Sequence, residues 1–224
     1  MVSDDIASRR VWMGESGALA SARPGVLLIE SSSLSVSWAR ELAGIAKERG
    51  STFVDAPVRG GPSQARAAQL NFLVGGETEA FERARPILGV MGANITHLGA
   101  AGNGAAMKLI NNMMIAVEIE VFEEALALAE RIGLDVNQAA VQLCEGAPGS
   151  RALQGRMQDI LTKDFTSRFA LRLMHKDMSY ALDESVRLGV PLPSVAASRE
   201  IYRLAIARGM GEWDFAGVGE ALKG

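Results

Sequence analysis

From residue 105 to residue 132 the chain runs without a proline or a glycine until Gly133 ends it, and no other feature limits its possible folds as much. One helix over that span has about 28 residues and a length of ~40 Å, more than a small domain is wide. Met107, Ile110, Met114, Ile115, Val117, Val121, Phe122 and Leu126 cover more than one of its faces, so neighbours on several sides are expected, a second subunit among them. The chain before it reads differently. Residues 26–29, 52–54, 70–74 and 94–98 have the composition of short strands, with helices at 35–49 and 78–88 between them. In the first of these helices Val36, Ala39, Leu42, Ala43 and Ala46 share a face before Gly50 stops it, which makes a βαβ unit. After the long helix the strand pattern disappears, and helical patterns follow at 136–143, 150–161, 168–188 and 194–208. The expected fold is therefore α/β followed by all-α, with one domain at 1–101 and a second at 102–224 that opens on the long helix.

Composition narrows the function. The 224 residues are 48% hydrophobic and 22% charged, the profile of a globular protein, with 23 Lys and Arg against 26 Asp and Glu. That balance argues against nucleic acid or an anionic membrane as partner and for a small-molecule substrate. Cys144 is the single cysteine, so no intrachain disulfide can form, and it suits a small buried position in a reducing cytoplasm. The start, Met1 to Asp5, lacks the basic and apolar segments of a secretory signal, and no apolar run has membrane-spanning length. A cytoplasmic protein is expected.

Two motifs at the head of the long helix carry chemistry. Gly102-Asn103-Gly104 follows a strand and opens a helix, as a dinucleotide-binding G-x-G-x-x-G does, but Met107 stands at the sixth position. The acidic residue expected about 20 positions on, after a second strand, is replaced by more helix, so these glycines read as tight-turn geometry. Lys108 and Asn112 are four residues apart and project from one helix face. A lysine there can snorkel or pair with a carboxylate. A desolvated lysine can instead exchange a proton with a substrate hydroxyl that a neighbouring carboxamide orients. His97 and His175 have no metal-ligand spacing, and no metal is expected.

The run Gly102 to Asn112 resembles the G-x-G-x-x-x-K-x-x-N-N segment of the β-hydroxyacid dehydrogenases, which include 3-hydroxyisobutyrate, tartronate semialdehyde and 6-phosphogluconate dehydrogenases. Ile29-Glu30-Ser31-Ser32-Ser33 is similar to the family's I-D-x-S-T loop, and Asp55-Ala56-Pro57-Val58-Arg59-Gly60-Gly61 to its D-A-P-V-S-G-G loop. Leu73-Val74-Gly75-Gly76 and His175-Lys176-Asp177-Met178 match later motifs in the same order. The resemblance implies hydride transfer between NAD or NADP and a small hydroxy acid or its semialdehyde. It implies Lys108 as general acid/base, Asn112 orienting the hydroxyl, and Ser32, Gly60 and Gly61 binding substrate, where backbone N–H groups without Cβ atoms can close on a carboxylate. Ser33 and the Lys176–Asp177 pair would lie at the cofactor, with Val2 and Ser3 near its ribose. Lys176 and Asp177 can also form a solvated ion pair.

Two departures from the family pattern stand out. Arg59 replaces a serine in the substrate loop, adding a planar cation. Pointing inward it would favour a larger or more acidic substrate; pointing outward it is a loop arginine. The chain also starts where the family's Rossmann-type, doubly wound cofactor domain is already partly built. The first strand, its glycine-rich turn and the residue that selects NAD or NADP are expected upstream, about 60 residues at ~30 per βαβ-type unit. Alternatives are an inactive remnant serving as an oligomerisation module and an enzyme like the imine reductases. Homo-oligomerisation as a dimer or tetramer through the helical domain is expected.

Overall fold

The computed structural model describes residues 1–223. The chain forms two compact units, Met1–Asn111 with Asp183–Gly189, and Asn112–Leu182 with the chain from Val190 on.

The first unit is an α/β layer. It contains α1 (Asp5–Met13), α2 (Ala18–Ser21), β1 (Leu27–Glu30), α3 (Val36–Glu48), β2 (Thr52–Asp55), β3 (Val58–Arg59), α4 (Pro62–Arg66), β4 (Leu70–Val74), α5 (Thr78–Leu88) and β5 (Gly92–His97). β1 and β2 run parallel, Leu27 opposite Thr52 through Glu30 opposite Asp55, with α3 as the crossover. β4 pairs parallel with β5 and antiparallel with β3, and a single backbone bridge joins Asp55 to Gly75 just past β4. Successive residues of β2 face opposite ways. Phe53 therefore joins a core of Trp12, Leu28, Trp38 and Leu42, while Val54 joins one of Phe72, Val74, Phe81 and Leu88. α3 packs on the first side and α5 on the second, so helices cover both faces of this strand. Burying a side chain of such size stabilises the fold by about 1.5–3 kcal/mol before entropy is counted. Helices α1 and α3 start where local chemistry directs them: Asp4 accepts the Ala7 N–H at the head of α1, and Ser35 accepts that of Trp38 at the head of α3.

The second unit is helical. α6 (Asn103–Ile132) is followed by α7 (Val136–Glu145), α8 (Arg151–Gln154), α9 (Met157–Thr162), α10 (Leu171–Leu188), α11 (Pro193–Ala207) and a 3₁₀ helix (Phe215–Leu222). The division between the units falls within α6 and within α10. Ile119, Phe122 and Leu126 of α6 share a core with Leu171, Met174, Met178, Tyr202 and Phe215. The spacing of three and four residues marks a single buried face. Met114, Val121 and Leu128 lie on another and are 66%, 51% and 62% exposed.

Two helical expectations change. The span 150–161 is not one helix, because Gly155 caps α8 and Arg156 leaves helical geometry at φ −121° before α9 begins. α10 starts at Leu171 rather than near 168, since the Arg168 and Phe169 N–H groups donate to Asp214 Oδ2 instead of entering a helix. Among the described residues no helix is long and apolar enough to cross a membrane.

Candidate active site

The head of α6 is held by a carboxylate. Asp55, at the end of β2 and 2% exposed, accepts the Gly102 N–H at Oδ1 and the Ala105 N–H at Oδ2, both at 2.7 Å. It satisfies donors that every helix start leaves without intrahelical partners. Burial nevertheless outweighs these N–H groups and pushes its pKa above the ordinary value. The two motif glycines have separate reasons. Gly102 turns with φ +88°, whereas a Cβ on Gly104 would lie 2.3 Å from the Leu73 carbonyl oxygen. Gly75 is equally confined, its Cβ position falling 2.6 Å from Asp55 Oδ1. The tight-turn reading therefore accounts for Gly102, while close backbone approach accounts for Gly104. Lys108 follows on the second turn of α6, half-buried, and Asn112 comes one turn later, 3% exposed.

In the helical unit Asn112 Nδ2 donates to Asp177 Oδ2 at 2.6 Å. Asp177 is fully buried, and the Lys176 ammonium lies 3.1 Å from its other oxygen. The same ammonium stands 5.2 Å from the centre of the Tyr180 ring. Lys176 and Asp177 thus form an ion pair on α10 that is joined to Asn112.

In the α/β unit the end of β1 carries a second group of the expected residues. Ser32 is buried, and its Oγ accepts the Val2 N–H at 2.8 Å. Val2, Glu30, Ser31 and Ser32 line a cavity of about 310 Å³ together with Trp12 and Leu88. Glu30 accepts from Ser8 Oγ, Trp12 Nε1 and the Ser32 N–H at 2.7–2.8 Å. Burial pushes its carboxyl up, but the bonds from Ser32, Trp12 and Ser8 prevail and hold it below the ordinary range. Ser33 follows, half-buried, and Ser3 donates its hydroxyl to Asp4. In the loop after β3, Gly60 has φ +116°, and the Gly61 N–H already donates to Gln64 Oε1 at 3.0 Å. A substrate carboxylate would have to displace that side chain. Arg59 is exposed.

Sequence reasoning did not single out Asp55 or Glu30 as organising groups. A carboxylate within an otherwise apolar strand is the available signal for both, since such a group needs partners when buried.

A family model described as the NAD binding domain of 6-phosphogluconate dehydrogenase matches residues 1–99. Another, described as NAD-binding of NADP-dependent 3-hydroxyisobutyrate dehydrogenase, matches residues 102–222. The chain belongs to the 3-hydroxyisobutyrate dehydrogenase family. Its relatives include 2-(hydroxymethyl)glutarate dehydrogenase of Eubacterium barkeri, 34% identical over 93% of this chain and 69% of that protein. The mitochondrial 3-hydroxyisobutyrate dehydrogenase of Rattus norvegicus is 33% identical over 100% of this chain and 69% of its own length. A solved Mycobacterium tuberculosis 3-hydroxyisobutyrate dehydrogenase with L-serine matches with a TM-score of 0.90 at 34% identity, covering 100% of this chain and 78% of that one. The family comprises NAD(P)-dependent β-hydroxyacid dehydrogenases, and this chain has both of its NAD(P)-binding segments in order.

Proposed function

We propose that this chain is an NAD(P)-dependent oxidoreductase of the 3-hydroxyisobutyrate dehydrogenase type, interconverting a small 3-hydroxy acid and its semialdehyde. The observation that carries the reading is the placing of Lys108 and Asn112 one turn apart on α6, within the segment matched by the 3-hydroxyisobutyrate dehydrogenase model. Lys108 takes the hydroxyl proton in oxidation and returns it in reduction. Asn112 orients that hydroxyl, and Ser32, Gly60 and Gly61 bind the acid group, with Arg59 at the loop's exposed edge. Val2, Ser3, Ser33, Lys176 and Asp177 belong to the cofactor side of the site. The cavity at the carboxyl end of β1 supports this, because open parallel sheets take their ligands beyond those strand ends. When bound, the nicotinamide supplies or receives the hydride.

The exposed apolar face of α6 at Met114, Val121 and Leu128 supports self-association of the helical unit. The test combines light scattering, for which a mass above the monomer is expected, with turnover of a panel of small 3-hydroxy acids and semialdehydes with both cofactors. Lys108→Ala should lower kcat about 100-fold or more while cofactor affinity stays near that of the unaltered chain. Turnover close to the unaltered rate would remove Lys108 from the chemistry. Neither turnover nor cofactor binding in the unaltered chain would overturn the enzymatic reading in favour of a non-catalytic module.

A further inference from the structure

A carboxamide is almost symmetrical in shape but not in chemistry, since one end accepts hydrogen bonds and the other donates them. A side chain that must orient a hydroxyl cannot do so reproducibly if it is free to turn over. Asn112 is fixed in this respect by a residue 65 positions away in the chain. The Asp177 carboxylate can only accept, so the Nδ2 end of Asn112 must face it, and the 2.6 Å separation gives a short, charge-assisted bond. Lys176 closes on the other carboxylate oxygen at 3.1 Å and compensates a charge that is otherwise fully buried. Lys176, Asp177 and Asn112 therefore form a chain in which the ammonium holds the carboxylate and the carboxylate selects the orientation of the amide.

Asp177 stands on the cofactor side of the site, but it is completely buried within the chain and acts through the side chains it holds. If its only task were to join α10 to α6, a well-packed apolar pair would serve, since removing a carboxylate from water is costly. A role that needs this chemistry is to make the amide face one way. We propose that Asp177 is a positioning residue: it determines which end of the Asn112 carboxamide meets the substrate hydroxyl, and Lys176 keeps it in place. This rests on the assignment of Asn112 to that hydroxyl.

Two measurements on the full chain test it. In ¹⁵N-labelled protein the Asn112 side-chain NH₂ should show one downfield, slowly exchanging proton, lost in Asp177→Ala. An unchanged resonance would overturn the contact. For turnover, Asp177→Ala should lower kcat roughly 10- to 100-fold through misplacement of the hydroxyl. The decisive variant is Asp177→Asn, which leaves Asn112 in place: with its oxygen drawn to Lys176 it presents an NH₂ group to Asn112 and turns that amide over. The expected result is a melting temperature close to that of the unaltered chain with kcat still depressed. A kcat close to that of the unaltered chain would show a merely structural pair and overturn the proposal. An unaltered chain with the NMR contact intact but no turnover would instead overturn the enzymatic reading, and the positioning role with it.

Discussion

Glu30 in the α/β unit and Glu123 in the helical unit are buried alike, 5% and 6% exposed, yet they differ in charge near neutrality. Burial pushes both carboxyl groups up. Around Glu30 it is overcome by a buried hydroxyl, an indole N–H and a backbone N–H. For Glu123 burial prevails over the Gly219 N–H, accepted at 2.8 Å, and over the Lys223 ammonium, with acidic Glu220 and Glu120 adding to it, and its pKa rises to about 8. The difference shows that depth alone does not set the state of a buried acid; the donors arranged around it do.

The comparison can be broken most forcefully through pH. Glu123 has its pKa raised from 4.5 to about 8 on folding, so its contribution is fully present below about 4.5 and is lost as pH rises through about 8. Across that window the unfolding free energy should fall by roughly 3–5 kcal/mol on account of this group. Glu123→Gln keeps the shape and an acceptor for Gly219 while removing the proton. Its urea-unfolding free energy should therefore decline much less from pH 5 to pH 8.5, with a residual slope from Glu120, itself raised to about 7 by burial. An unchanged slope would mean that Glu123 is ionised in the fold.

The same exchange at the other carboxylate should have the opposite consequence. Glu30→Gln turns an NH₂ group toward partners that can only donate, and should cost about 2 kcal/mol at pH 7, measured as a lower urea midpoint. A neutral result would mean that Glu30 is not held ionised. The smallest effect sharpens the account. Ser8→Ala removes one donor from Glu30 and also the acceptor of the fully buried Trp38 indole N–H at 2.9 Å, for a loss of about 1 kcal/mol. Tryptophan fluorescence during unfolding reads that change directly.

What was legible in the sequence depended on the range of the interaction. α3, β4, α5 and α6 follow from periodicity and from glycine stops, because their signals lie within a few turns of chain. α1 escaped such a reading: its exposed positions include Ile6 and Val11, while Ser8 and Trp12 are buried against Glu30. The 3₁₀ helix at Phe215–Leu222 contains Gly217 and Gly219, which locally signal a break. Gly219 is required there for another reason, since a Cβ would lie 2.5 Å from that of Glu123. At the candidate site, Lys108 and Asn112 are recognisable from spacing and from the family motif. The link from Asn112 to Asp177 spans 65 residues, and that from Asp55 to Ala105 spans 50, so neither leaves a local pattern.

The capped head of α6 has a mechanical consequence as well. A helix start normally frays, but here Asp55 holds the Gly102 and Ala105 N–H groups that would otherwise be left to water. α6 has 30 residues, so it extends ~45 Å, while Lys108 lies only ~8 Å along its axis from Asn103. The amine is mounted close to that capped end, on a turn kept from fraying.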